Sequence, residues 1–241
     1  MCRVVVSGSG VATGPESIAV IAITRADIAA NPPSAFVAVD QEPTLGFAAV
    51  SGPAVTFRGL RVPRGRLIGA VGLGSELVAS AFTGSAAIVG AMACGIMRAA
   101  FEDALAFAKR ETCGGPHPVI RHQSVADRLV EMKTKLETAR LLTWKAASAF
   151  DRSRGRDAEG CWMAKVYASE AAMEVVRLGM AVMGMESYSL RQRFPRLLRD
   201  AACLPIFDGG NVGVRRRELQ SLFEGETYDP LSFAYGSASD A

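Results

Sequence analysis

The sequence predicts a mainly α protein: an antiparallel four-helix bundle over residues 75–228, preceded by a partial β-domain at 1–74 and followed by an irregular tail at 229–241. Three observations carry this. Up to about residue 70 the chain consists of short Val- and Ile-rich runs separated by Gly, Pro, Ser and Asn clusters, which is strand patterning. Beyond residue 75 the apolar residues shift to a helical period over three long segments. The loops between those segments are short, so neighbouring helices must run antiparallel.

The strand runs are CRVVV, SIAVIAIT, AFVAV and AVTFRGLRVP. They make too little sheet to stand alone, and are expected to pack on something else or to lack strands. Ser75 to Glu111 is almost continuously apolar or small, the pattern of a helix buried on most sides. TCGGPHP breaks it. In the next segment Val125, Leu129, Met132, Leu136, Ala139, Thr143, Ala146 and Phe150 step by four and three, with charged residues on the other faces. DRSRGRD is a loop, and a third helix from about Glu159 to Met183 carries Ala168, Ala172, Val175, Gly179 and Val182 on one stripe. GMESYS closes it, FPRLLRDAACLP is a short connecting piece, and a last helix is expected from about Asn211 to Phe223.

Composition narrows the class. Hydrophobic residues are 49% and charged residues 21%, with 27 basic against 24 acidic side chains and a net charge of +3. That balance is expected of a soluble globular domain and does not suggest nucleic acid as a partner. Cys2, Cys94, Cys113, Cys161 and Cys203 form no CxxC pair, which points to a reducing compartment rather than a disulfide framework. His117 and His122 are the two histidines, too few for a His-rich metal site. The most apolar stretch, Leu77 to Met97, is full of Ala, Gly, Ser and Thr, so it is expected to be an internal helix and no membrane partner is implied. No secretory or transit pattern opens the chain, and a cytoplasmic location is expected.

One segment holds the chemistry: PIFDGGNVGVRRREL, Pro205 to Leu219. An apolar lead-in delivers Asp208 to a turn made by Gly209, Gly210 and Asn211, ahead of a helix start. The positive end of that helix favours an ionised carboxylate, whereas the apolar lead-in opposes it, and such opposed terms poise a general base. Asp208 or Asn211 simply capping the helix remains the other reading. Arg215 lies two turns on and can reach back towards Asp208, although an Arg run also suits a solvated face or an oligomer contact. Ser85, a hydroxyl in a nearly apolar helix, either back-bonds to its own helix or acts elsewhere. His122 and Gln123 stand where they cap the second long helix or hold a ligand. No GxGxxG, Walker, GxSxG or HExxH pattern occurs.

Several stretches resemble the acyl-CoA dehydrogenase superfamily. VTFRGLRVPRGRLIG is similar to the end of its middle β-domain; VIRHQSVADRLVEMKTKLETARLLTWKAA and AKVYASEAAMEVVRLGMAVMG are similar to the second and third helices of its C-terminal bundle. FPRLLRD with LPIFDGGN stands where that family has its Pro-x-x-Arg, its Arg-Asp and its catalytic Glu-Gly-Thr. Here Glu-Gly-Thr reads Asp208-Gly209-Gly210, the family Gln near Ala181 is replaced, and Met185 takes the place of a Gly. These departures, with AKRETCGGPHPVIRHQSVADRL and the ending YDPLSFAYGS, resemble the nitroalkane oxidase branch.

The resemblance implies a C-terminal-domain-like fold, roughly the C-terminal half of a longer family member, and FAD as cofactor. It implies oxidation of a nitroalkane to an aldehyde or ketone with release of nitrite and hydrogen peroxide. Asp208 would take the α-proton, Arg215 would hold it in place and ionised, and Ser85 would hydrogen-bond near the same carboxylate. His122, Gln123, Gly209 and Gly210 would contact FAD, partly from a neighbouring subunit, with Arg110 or the Cys113 position towards its diphosphate or adenine end. A homo-oligomer through the bundle and a small-molecule substrate follow. Two alternatives stand beside this: an acyl-CoA dehydrogenase acting on a thioester, and a catalytically incomplete chain acting as an oligomer partner.

Overall fold

The computed structural model describes residue 14 and residues 18–39, 43–50 and 52–235. The expected strand CRVVV lies outside them. The chain forms two compact units, 1–44 with 48–81 and 45–47 with 82–241.

The first unit holds two separate antiparallel ladders among its described residues. β1 (Val20–Ile21) pairs with β4 (Leu67–Ile68), Val20 opposite Ile68; β2 (Phe36–Val39) pairs with β3 (Ala54–Phe57), Phe36 opposite Phe57. Two expected strands are shorter than read. SIAVIAIT yields β1 and then turns into a helix, α1 (Arg25–Ala29), because Thr24 and Asp27 close a reciprocal capping box at its start. AVTFRGLRVP stops pairing after Phe57, where Gly59 takes φ +62° and turns the chain. Asp27 is buried, its carboxylate 3.0 Å from Arg66 Nε.

The second unit is the helical one. α2 (Gly74–Arg110, within it from Phe82), α3 (Gln123–Arg152) and α4 (Glu159–Met183) supply its long rods. The expected stripes are buried over their middles, Leu129, Met132, Leu136, Ala139, Thr143 and Ala146 on α3, with its end members Val125 and Phe150 half-buried, and Ala168, Ala172, Val175, Gly179 and Val182 are buried on α4. Gly184 ends α4 with φ +59°, a backbone that L side chains rarely adopt. FPRLLRDAAC is itself a helix, α5 (Phe194–Cys203), in place of the expected connecting piece; Pro195 at its first turn and the buried Phe194, Leu197 and Ala201 hold it against α4. The expected last helix is two pieces, a π turn at Asn211–Arg215 running into α6 (Arg216–Phe223). The tail departs from the irregular expectation at α7 (Ser232–Tyr235).

α2 also departs from its reading. It buries one stripe, including Ala86, Val89, Ala93, Met97, Ala100, Ala104 and Phe107, and leaves Ile88 on an open side. By length and composition alone it is the one helix among the described residues apolar enough to cross a membrane, with mean hydropathy 1.8 over a window 33% buried within the chain. A core helix meets that test equally, and small residues produce both properties, since Ala and Gly count as apolar and permit close helix packing. The described cysteines, Cys94, Cys113, Cys161 and Cys203, are free thiols.

Close packing makes one pair of glycines informative. A Cβ on Gly179 would stand 2.6 Å from Phe194 Cε1 and 3.1 Å from Met132 Cε, whereas a Cβ on Gly95 meets nothing within 4 Å. Gly179→Val is expected to lower stability by about 1–3 kcal/mol through overpacking. Gly95→Ala, on the open side of α2, is expected to raise it by about 0.5–1 kcal/mol. Chemical denaturation of the two variants beside the parent reads both, and equal midpoints would show that the α4–α5 contact is not close-packed.

Candidate active site

The apolar lead-in ends where expected, and the backbone then does something uncommon. Phe207 packs edge-on against Phe47, ring centroids 5.3 Å apart. Asp208 and Gly209 follow in the left-handed region, at φ +53° and +71°. Asp tolerates that conformation better than most residues and glycine adopts it freely. The double turn aims the two successive carbonyls, of Asp208 and Gly209, at two different buried cations.

The first cation is Arg215, 1% exposed. Its Nε and Nη2 donate to the Asp208 carbonyl at 3.2 and 2.9 Å, Nη2 also donates to the Phe82 carbonyl at 2.8 Å, and Nη1 donates to Glu218 at 2.9 Å. Its expected pairing with the carboxylate is the looser contact, 3.7 Å from Nη2 to Oδ2. A Cβ on Gly209 would stand 3.0 Å from Arg215 Cζ, and the φ of +71° strains any L side chain there, so glycine suits both the turn and the guanidinium.

The second cation is Lys165 on α4, wholly buried. Its Nζ donates to the Gly209 carbonyl at 3.1 Å and to Asn211 Oδ1 at 2.8 Å. Asn211 in turn donates through Nδ2 to Ser169 Oγ and to Glu170, each at 3.0 Å, and Glu170 accepts both of its bonds from Arg216 at 2.8 Å. Burial first, then the Arg215 charge, pull the Lys165 ammonium down to about 8, against the opposite pull of Asp208 and Glu170.

Asp208 itself is 14% exposed. Ser85 Oγ lies 2.7 Å from its Oδ1 and 3.0 Å from the Phe82 carbonyl, so one hydroxyl proton has both acceptors in reach. The back-bond and the carboxylate contact therefore coexist. Oδ2 is buried and accepts no hydrogen bond. A buried carboxylate oxygen without a donor is costly in a finished fold, and is what a base needs at the atom that takes a proton.

The capping reading of this segment is corrected. Gly210 occupies the N-cap position with no side-chain cap bond, and neither Asp208 nor Asn211 caps the helix. The Arg run also resolves: Arg215 turns inward, Arg216 pairs with Glu170, and Arg217 is exposed. Asp208, Arg215, Ser85, Gly209 and Gly210 thus come together. Arg110, Cys113, His122 and Gln123 do not join them. They surround the α2–α3 turn, and the 25 residues from Ser85 to Arg110 along one helix separate the two groups by about 37 Å.

At that turn Arg110 pairs with Glu111 at 2.7 Å, Gln123 donates to Asp127 at 2.7 Å, and the exposed His122 makes no side-chain cap bond. Guanidinium, imidazole and amide donors on an exposed turn fit the phosphate and adenine edges of a dinucleotide. The site residue missed in the sequence is Lys165. Its signal was present: Lys165 falls three residues before Ala168 on the buried α4 stripe, a lysine at an apolar position.

The family model "Acyl-CoA dehydrogenase, C-terminal domain" matches residues 72–220. Nitroalkane oxidase of Fusarium oxysporum is 43% identical over 225 residues, covering 92% of this chain and 51% of that protein. The solved nitroalkane oxidase of Podospora anserina superposes with a TM-score of 0.89 at 41% identity, over 95% of this chain and 55% of that one. Cyclohexane-1-carbonyl-CoA dehydrogenase of Geobacter metallireducens is 35% identical over 155 residues, 63% of this chain and 40% of its own length. The chain spans about half the length of the nitroalkane oxidases it matches.

The depressed Lys165 ammonium gives the site a pH signature. Between about 8 and the ordinary 10.5 the folded state holds fewer protons than the unfolded one. Stability contributed by this group therefore rises with pH across that window. Cys161, whose thiol burial pushes up to about 11, works in the opposite sense over an overlapping range. Comparing the parent with Lys165→Met cancels it: the stability difference is expected to move in the parent's favour from pH 8 to pH 10.5. A flat difference across that window in denaturant titrations would contradict the buried, charged lysine.

Proposed function

This chain belongs to the acyl-CoA dehydrogenase family through its C-terminal domain, and from that premise we propose that it works as the base-bearing part of an FAD-dependent nitroalkane oxidase. The observation that carries the reading is Asp208, an aspartate in place of the family glutamate, with Oδ1 bonded to Ser85 and Oδ2 buried without a donor. The similarity to two nitroalkane oxidases over nine-tenths of the chain supports it.

In this reading Asp208 Oδ2 takes the α-proton of a primary or secondary nitroalkane. A nitro group acidifies its neighbouring carbon far more than a thioester does, so a short carboxylate suffices. Ser85 occupies Oδ1 and leaves Oδ2 as the atom that meets the substrate proton. Arg215 stands 3.7 Å from Oδ2 and holds the turn through the Asp208 carbonyl. His122, Gln123, Gly209, Gly210 and Arg110 would hold FAD, which when bound supplies the electron acceptor that O2 later regenerates. A primary nitroalkane, O2 and water then yield aldehyde, nitrous acid and hydrogen peroxide, one molecule of each. Because the two groups of cofactor candidates lie at opposite ends of α2, one FAD meets both only when a second copy contributes one of them. The exposed Ile88, Val130, Leu141 and Trp144 on α2 and α3 support such a homo-oligomer.

The test is nitrite release from nitroethane by the FAD-treated chain under air. Asp208→Asn is expected to lower it at least about 100-fold, the scale of a lost general base. Equal rates in parent and variant would contradict the assignment. Turnover of an acyl-CoA with an artificial electron acceptor, but not of nitroethane, would assign the thioester chemistry of the acyl-CoA dehydrogenases instead.

A further inference from the structure

The catalytic turn has a support that the proposed reaction does not itself require. Lys165 is wholly buried on α4, and its two bonds end on the Gly209 carbonyl and on Asn211, the residues one and three beyond Asp208. Asn211 is 2% exposed and uses its oxygen for Lys165 and its nitrogen for Ser169 and Glu170. Its whole amide is committed to α4. From the other side Arg215 holds the Asp208 carbonyl.

A buried lysine is expensive unless its charge is answered. No carboxylate bonds Lys165 directly; carbonyl oxygens do, with Asp208 and Glu170 as the acidic charges near it and Arg215 as the basic one. An apolar side chain in its place would leave the Gly209 carbonyl and Asn211 Oδ1 without this donor, so the ammonium is what ties the turn to α4. We propose that Lys165, acting through Gly209 and Asn211, is a positioning residue that sets the turn carrying Asp208. The inference rests on the reading of Asp208 as the base. Lys165 touches no reacting atom; it acts through the backbone on which Asp208 stands.

The groups facing Asp208 are Ser85 from α2, Arg215 from the π turn and Lys165 from α4. Those facing Lys165 are Arg215, Asp208, Glu170 and the Asn211 amide.

The experiment records the backbone amide resonances of Asp208, Gly209 and Gly210 by 1H–15N NMR of the full chain, in the parent, in Lys165→Met and in Asn211→Ala, with nitrite release measured alongside. In Lys165→Met these amides are expected to shift while those of α3 stay in place. Nitrite kcat should fall about tenfold or more, with KM changed less than about twofold, because the lost effect is on the placement of the base and not on binding. Lys165→Arg, which keeps a donor for the turn, should restore the resonances and part of kcat. Should Lys165→Met fail to fold, Asn211→Ala reports in its place: it removes one of the two bonds by which Lys165 holds the turn, and shifted turn amides are again expected.

Unchanged turn amides in the folded variants would overturn the proposal. So would a KM rise with kcat intact. A parent that releases no nitrite would overturn the nitroalkane reading, while the amide resonances would still decide whether Lys165 sets the turn.

Discussion

Four residues, Asp208 to Asn211, are suspended between two buried cations. Arg215 takes the carbonyl of Asp208 and Lys165 takes the carbonyl of Gly209. Everything distinctive about the site follows from that arrangement. The left-handed pair at Asp208 and Gly209 is what turns successive carbonyls in different directions, and glycine suits both the turn and the guanidinium lying against it. With the backbone fixed at both carbonyls, the carboxylate has little freedom. Ser85 donates to one oxygen, and the other is buried without a donor among the described residues.

Two buried like charges would repel at such a turn without nearby acid. The structure answers them from outside inward: Glu218 meets Arg215, and Glu170 meets Arg216 and the amide of Asn211, which carries the contact to Lys165. The polar network is connected from the protein surface to the Asp208 turn, and such networks rigidify a site when every member is satisfied. The unsatisfied atom in it, Asp208 Oδ2, is the one the proposed chemistry uses. A polar cluster of this kind is held in place by the apolar frame around it. Phe207 packs on Phe47 on the approach, and Lys165 and Ser169 tie the turn to buried positions of α4.

The long helices were legible because their apolar residues repeat at three and four positions, and a stripe such as Leu129, Met132 and Leu136 has few other uses. The short elements were not. α1 depends on a Thr24–Asp27 capping box inside a run that otherwise reads as strand, and α5 on a buried Phe194 and Leu197 in a segment too short to show a period. Asp208, Arg215 and Ser85 could be named from the sequence, yet their geometry could not. That Arg215 grips a carbonyl more closely than the carboxylate is a matter of tertiary placement. Capping by Asp208 or Asn211 is the local alternative that sequence offers; the partners of the Asn211 amide nitrogen lie 42 and 41 residues away on α4. Lys165 was visible as a lysine on an apolar stripe, a local inconsistency of the kind that marks function.

The central claim is that the bundle's own residues assemble a carbon-acid base at Asp208. The most direct measurement is anaerobic exchange of the α-hydrogens of nitroethane in deuterated water, followed by proton NMR, with the parent chain and with Asp208→Asn. Exchange accelerated by the parent and lost in the variant is the expected result, since proton removal needs the carboxylate and precedes any oxidation. Exchange at the same rate with both chains, or no acceleration by either, would contradict the claim.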